Sequence, residues 1–450
     1  MSNAGQFWFA GTPGRQVRGE LILEIGQQPE LAVDGAIVHS PCEVATETER
    51  GSAVALSVLP ERLVESFLPI TIHGQLDNGE RLTLLSARNH GGTGTFGVPH
   101  YRATTVVVGA WVAGTMQPYT AIRFQLNVSQ ALAHLESGQS APAGDDGTLS
   151  VEADEAGTWL VYTSAQPVAL RQLRARAVLG VVVLTQLALD TTETAARAVE
   201  VRIGSDDSWL PVVSTMLDET IADIEDDPLL PYEQLTLDRL ASWISTNDTL
   251  DMLAWPVLNR SLSPLPERVM VSTSLVEGLH RRLPFEHTKF LGATKPAVKR
   301  VREAAVAAAV AQAGTEDNLD PGLVSTLMTN AVNFVGDVSF QDRADAVVAE
   351  VSSAIPEFTI VLPDVATRIK KARNDFAHHI VYTESKEPLA DRELRWMIVA
   401  VVTPWLLRAL LLLRAGIDPV TLHAGYAASE RFTNHLAEVA RMKAELDGEV

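Results

Sequence analysis

The sequence predicts a multidomain protein with a β-rich N-terminal region, containing some helix, and an all-α helical bundle at the C-terminus. Three observations carry this. Over roughly the first 130 residues, short runs rich in β-branched and apolar residues alternate with turn residues. From about Tyr232 the apolar positions instead recur every three or four residues, the spacing of amphipathic helices. The charge divides the chain in the same way. Residues 1–259 hold 14 Arg, no Lys and 32 acidic residues, while residues 260–450 hold 22 basic and 24 acidic residues. A length of 450 residues fits two or three domains.

Strands are expected at Leu21–Ile25, Ala53–Val58, Ile70–His73, Leu82–Leu85, Thr105–Val112 and Ile122–Val128, the last alternating cleanly. Asp77-Asn78-Gly79 predicts a hairpin turn, because Asn and Gly tolerate positive φ. The polar stretch 137–146 reads as a connector and a possible sub-boundary. A strand at Trp159–Tyr162, a helix over about Val168–Leu189 and a strand through Val199, Val201 and Ile203 follow. The run 218–227 packs six acids into ten residues and precedes Pro228, so the domain boundary is placed there, with regions 1–227 and 228–450.

In the second region, Leu235, Leu240, Trp243 and Ile244 open the helical pattern. Helices are expected at Val269–Arg282, Ala297–Ala313, Leu323–Val335, Arg343–Ile355, Asp391–Gly416 and Ser429–Leu446. Between them, Leu362, Val365, Ile369, Ala372, Phe376 and Ile380 form a stripe at steps of three and four.

Composition excludes several classes. The single cysteine, Cys42, excludes an intrachain disulfide framework and a Cys-ligated zinc site, and fits a reducing, cytoplasmic setting. No HExxH or paired-ligand spacing occurs among the histidines, so no metal and no cofactor are expected. No signal peptide is visible at the N-terminus. Ala177–Leu189 is short for a bilayer, and Ile398–Leu413 is interrupted by Pro404 and Arg408, so no membrane span is expected. The net charge of −20 argues against nucleic acid until its distribution is seen: the acidity belongs to the first half.

The chemistry-bearing segment is Arg368-Ile-Lys-Lys-Ala-Arg-Asn-Asp-Phe-Ala-His-His379. On the predicted helix, Asn374 and His378 are four apart and share a face, with Lys370 and Lys371 one turn back on that side. Arg373 borders the apolar stripe. Cleaving RNA without a metal requires a group to move the 2′-hydroxyl and 5′-oxygen protons, and histidine titrates near neutrality. It also requires a cation for the phosphate charge, which arginine meets bidentately. The opposing reading is a structural pair at a helix end.

This segment resembles the HEPN family, whose signature is an Arg, four to six intervening residues and a His. Arg373 and His378 enclose four, and Arg373 and His379 enclose five. The fuller form Arg-Asn-x-x-Ala-His, late in a helix of an all-helical C-terminal domain, sharpens the likeness. It implies a metal-independent endoribonuclease, active as a homodimer or higher homo-oligomer through that domain, leaving 2′,3′-cyclic phosphate and 5′-hydroxyl ends. The catalytic residues implied are Arg373, Asn374 and His378. His379 is the alternative imidazole, although it falls towards the apolar stripe. Glu277 either orients Arg373 or His378 across a helix pair or is a solvated helix residue.

Val271-Ser-Thr-Ser-Leu-Val-Glu-Gly-Leu-His-Arg281 is similar to the early helix of ApeA-type abortive-infection HEPN proteins. Gly19-Glu-Leu-Ile-Leu, Ile72-His-Gly74 and Thr83-Leu-Leu resemble motifs of their β-rich N-terminal domain. The resemblance implies anti-phage defence, with a sensing or regulatory N-terminal region, a phage-derived trigger and an RNA substrate. Lys370, Lys371 and Arg281 are expected to contact RNA, with further backbone contacts from Arg268, Arg282, Lys289, Lys295, Lys299, Arg300 and Arg302. Three rivals stay open: a non-catalytic HEPN module binding a nucleotide or protein, the toxin of a toxin–antitoxin pair, and a β-domain ligand binder with a helical dimerisation tail in which Arg373 and His378 are only structural. The letters Gly92-Thr-Gly94-Thr-Phe-Gly97 match a dinucleotide fingerprint, but Pro99 follows at once and no helix begins there.

Overall fold

A computed structural model describes residues 3–35, 37, 42–48, 51–57, 68–90, 100–144, 147–204, 208–218, 220–221, 228–258, 263–378 and 387–448, with backbone alone for 42–48, 51–57 and 377–378. By its contacts the chain forms two units: Met1–Leu258 with Leu411–Ser429, and Asn259–Leu410 with Glu430–Val450.

The first unit is built on one antiparallel sheet of thirteen strands. Part of it closes on itself. Strands Arg81–Asn89, Ile70–Leu76, Asn3–Phe9, Val17–Ile22, Glu30–Val33 and His100–Arg102 pair in that order, and the last pairs back to the first. Closure removes sheet edges. It depends on a bulge in Arg81–Asn89, where the register against Ile70–Leu76 shifts and Ser86 takes φ +54°. Leu82–Leu85, before the bulge, pairs with Thr105–Val108, and Arg88 and Asn89, beyond it, pair with Tyr101 and Arg102. Phe7, Leu21, Leu31, Ile72 and Leu84 fill the interior.

The predicted Asp77–Gly79 turn joins two of these strands, with Gly79 at φ +90°. The remaining strands extend the sheet through Thr105–Val108, Leu210–Ser214, Ala196–Arg202, Pro118–Leu126, Gly157–Ala169, Gly147–Asp154 and Ser140–Pro142. Within the expected connector, Ser140–Pro142 is a strand that pairs with Thr148–Ser150 in the sheet. Cys42–Thr48 and Gly51–Ser57 form a separate two-stranded hairpin.

The expected helix after Trp159 begins at Leu170, passes through a π-helical segment at Arg174–Val178 and continues as α1, Leu179–Leu189. Ten of the eleven α1 residues are buried, which is why it is apolar all round. It packs on α2, Leu237–Leu250, where the buried Trp243 donates Nε1–H to Gly180 O at 2.9 Å. That packing places the division of the two units after Leu258, whereas the acidic run pointed to 227; residues 222–227 lie outside the described residues. Among the described residues two helices are long and apolar enough to cross a membrane, Leu170–Leu189 and Leu389–Arg414, and 72% and 78% of their apolar windows are buried within the protein.

The second unit is helical. It contains α3 (Leu265–Arg282), α4 (Lys295–Ala313), α5 (Pro321–Asn333), α6 (Phe340–Ala354), α7 (Val365–His378) and most of α8 (Leu389–Arg414). Helix α9 (Pro419–Ala428) belongs to the first unit and α10 (Glu430–Leu446) to the second. Helices α3, α6 and α7 pack on one another, burying Val269, Val276, Val347, Val351, Ile369 and Ala372 completely. Val365, Ile369 and Ala372 of the predicted stripe thus form the core face of α7, and Ile380 lies outside the described residues. At the start of α6, Ser339 and Asp342 cap each other reciprocally. Helices α4 and α5 form a hairpin whose Val301, Leu323 and Leu327 stay more than half exposed.

Candidate functional site

The site is assembled on α3, α6 and α7. Arg373, Asn374 and Asp375 lie on the third turn of α7, beside the buried Ala372. His378 is the last residue of α7, and its side chain lies outside the described residues, as does all of His379. Asn374 and His378, four apart in one helix, share a face by backbone geometry. Lys370 is four residues before Asn374 and is exposed.

Glu277 of α3 joins the three helices. Its Oε1 accepts from Arg343 of α6 at 2.6 Å and from Arg281 Nη2 at 2.9 Å, and its Oε2 lies 4.0 Å from Arg373 Nη2. Arg343 is nearly buried, with its side chain 10% exposed, while the Arg373 side chain is 41% exposed. Arg373 also stands over the Phe340 ring, its Cζ 5.5 Å from the centroid. One carboxylate therefore neutralises a buried arginine and sits beside a second arginine whose outer face meets solvent. Glu277, its side chain 26% exposed, thus stands among three arginine side chains.

A second network holds the other side of α7. Asp375 Oδ2 accepts from Arg395 Nη1 at 2.7 Å and from Trp396 Nε1 at 2.8 Å. Arg395, 3% exposed, also donates to both oxygens of Glu387, and Lys371 Nζ reaches Glu387 at 3.1 Å. Arg395 first, and Lys371 after it, hold the Glu387 carboxyl below its ordinary range. Phe376 packs on Trp396 with ring centroids 4.6 Å apart. The Arg373–Asp375 backbone is thereby anchored on both sides.

Of the residues expected to contact RNA, Lys370 is exposed, whereas Lys371 pairs with Glu387 and Arg281 with Glu277. Lys289 pairs with Asp342 at 2.7 Å, and with Ser339 holds that carboxyl down to about 2. Lys295, Lys299 and Arg302 line a groove of about 1050 Å³ between α4 and α5.

His280 is 1% exposed and stacks on Phe285 at 4.6 Å. Burial, with Arg343, His287 and Arg281 nearby, lowers its pKa to about 4, so it is neutral at pH 7. Sequence reasoning missed Arg343, Asp375 and Arg395. Arg343 lies four and eight residues before the buried Val347 and Val351, so a cation on an apolar stripe was the available signal. Among the described residues no three His, Cys, Asp or Glu side chains gather as metal ligands.

The fold and this geometry define a β-sheet unit, part of it closed into a barrel, in one chain with a helical unit carrying an arginine–carboxylate cluster. Residues 2–154 match the family model of ApeA N-terminal domain 1, which supports an ApeA-type N-terminal domain of an anti-phage protein. The match spans the closed part of the sheet and ends with the Gly147–Asp154 strand. No curated protein and no solved structure matches the chain.

Proposed function

We propose that the helical unit is a metal-independent HEPN-type endoribonuclease and that the chain acts in anti-phage defence by abortive infection. The observation that carries the reading is Arg373. It is half-exposed, lies on the same helix as Asn374 and His378, and is steered by Glu277 Oε2 at 4.0 Å while Arg343 takes the other oxygen at 2.6 Å.

In the proposed reaction the substrate's 2′-oxygen attacks phosphorus and the 5′-oxygen leaves. The 2′-hydroxyl loses its proton and the 5′-oxygen gains one, giving a 2′,3′-cyclic phosphate and a 5′-hydroxyl. Arg373 would meet the charge growing on the phosphate oxygens, since its donors match them bidentately. Asn374 would position the phosphate, and the imidazole of His378, or of His379, would move the proton. One helix offers each group once, so a homodimer that faces two α7 helices across one cleft supplies both sets. The resemblance also supports a sensing role for the N-terminal unit and a phage-derived trigger.

The test is growth with total-RNA sizing in cells expressing wild type, Arg373→Ala or His378→Ala, with and without phage. The expected result is arrest or protection with RNA fragmentation in wild type alone. Equal behaviour of folded mutants and wild type would favour a non-catalytic binding module, and arrest relieved by a neighbouring gene product would favour a toxin–antitoxin pair.

A further inference from the structure

The first unit holds a cavity of about 260 Å³ whose wall is apolar except for two groups. Val178, Val182, Val199, Leu217 and Trp255 supply the apolar wall. Arg174, the first residue of the π-helical segment, supplies a cation. Among the described residues its guanidinium meets hydroxyls alone: Nη1 reaches Thr105 Oγ1 at 3.5 Å and Nη2 reaches Ser214 Oγ at 3.3 Å, both at the long limit of hydrogen bonding. Among the described residues no carboxylate pairs with it, and burial alone lowers its pKa. This sets it apart from Arg123, Arg343 and Arg395, each of which has a carboxylate within 3 Å.

The second polar group is Thr194, 2% exposed, which lines the same cavity and whose Oγ1 is buried without a partner among the described residues. A half-buried charge with no counter-ion among the described residues and an orphan hydroxyl are each costly. Their meeting in one cavity is what an anion would repay, because a guanidinium fork accepts a two-oxygen anion and a hydroxyl can donate to it. The π-bulge that sets Arg174 against the wall is itself a feature that recurs at functional sites.

We propose that this cavity binds a small organic carboxylate with a short apolar body, the carboxylate on Arg174 and Thr194 and the body against the valine, leucine and Trp255 wall. The volume admits roughly nine waters at about 30 Å³ each, so the body is short. The site lies wholly in the first unit and does not depend on the nuclease reading.

The experiment is calorimetric titration and thermal shift on the purified full-length chain. The probes are straight-chain carboxylates from acetate to octanoate and benzoate, the matching alcohols, and inorganic phosphate. At least one carboxylate is expected to bind wild type ten-fold or more tightly than its alcohol and than phosphate, and to raise Tm. Arg174→Met loses that binding by at least ten-fold, Arg174→Lys falls between, and Thr194→Val weakens it several-fold. The lysine and valine changes are near-isosteric and carry the test if the methionine variant does not fold. The proposal is overturned if no carboxylate binds folded wild type at about 10 mM, an affinity of less than about 3 kcal/mol. It is equally overturned if alcohol or phosphate matches the best carboxylate, or if the Arg174 variants bind as wild type does.

Discussion

Arg343 is held by Glu277 across two helices at 2.6 Å, and the same carboxylate stands 4.0 Å from Arg373. The relationship links stability to the site: Glu277 neutralises a nearly buried cation and directs a half-exposed one. Glu277→Ala therefore leaves Arg343 unpaired and is expected to destabilise the protein by roughly 2–3 kcal/mol, less than for a wholly buried pair because Glu277 is partly exposed. Glu277→Gln keeps an acceptor and costs roughly 1 kcal/mol. Urea unfolding of the two variants measures both.

Arg373→Ala is expected to behave in the opposite way. With its side chain 41% exposed and its nearest carboxylate at 4.0 Å, the loss in stability stays within about 1 kcal/mol. On the proposed reading, RNA cleavage is expected to fall by about 10²-fold or more, as for removal of a charge-stabilising donor from a reacting phosphate. Arg373→Lys keeps charge but loses the planar fork, and recovers little of the activity. Paired cleavage and unfolding measurements separate the two effects.

Arg395→Ala removes the shared partner of Asp375 and Glu387. Arg395 is 3% exposed, so Asp375 keeps the Trp396 N–H and Glu387 keeps Lys371 but both lose their buried cation, at a cost of about 3 kcal/mol. Lys371→Ala, touching only the exposed rim of the same network, is expected to cost under about 1 kcal/mol. A similar loss from both changes would show that Arg395 does not anchor α7.

Acid lability follows from two shifts of the same sign. The His280 pKa is lowered to about 4 in the fold against an unfolded value near 6.5. The unfolded chain binds more protons in that window, so His280's contribution is full above about pH 6.5 and declines as pH falls towards 4. Glu387, also lowered, contributes above its ordinary pKa and loses that contribution as pH falls through its lowered one. His280→Phe is expected to flatten the fall in Tm between about pH 6.5 and 4 while leaving the steeper fall at lower pH.

Much of this architecture was legible in the sequence because its signals are local. The steps of three and four at Val365, Ile369 and Ala372 mark the buried face of α7, and Asn78-Gly79 marks the turn between two strands. The strand at Thr105 ends at Val108, short of Val112, because Gly109 turns the chain at φ +94°. Long-range features were not legible. Alternation at Leu82–Leu85 says nothing of the Ser86 bulge that closes the sheet, nor do the acids at 218–227 reveal that Trp243 packs on α1. In the site, Arg373, Asn374 and Glu277 stood out by motif and helix position. Arg343 and Arg395 lie on apolar stripes whose charged member finds its partner only in three dimensions.

The central claim is that Arg373 and His378 cleave RNA, and the most direct measurement maps RNA ends. RNA would be taken from phage-infected cells expressing wild type, Arg373→Ala or His378→Ala, and new 5′-hydroxyl and 2′,3′-cyclic phosphate ends counted, with the cleavage repeated in lysate containing EDTA. The account predicts such ends in wild type alone, persisting under chelation. Ends equally abundant in folded Arg373→Ala and His378→Ala, or abolished by EDTA, would contradict it.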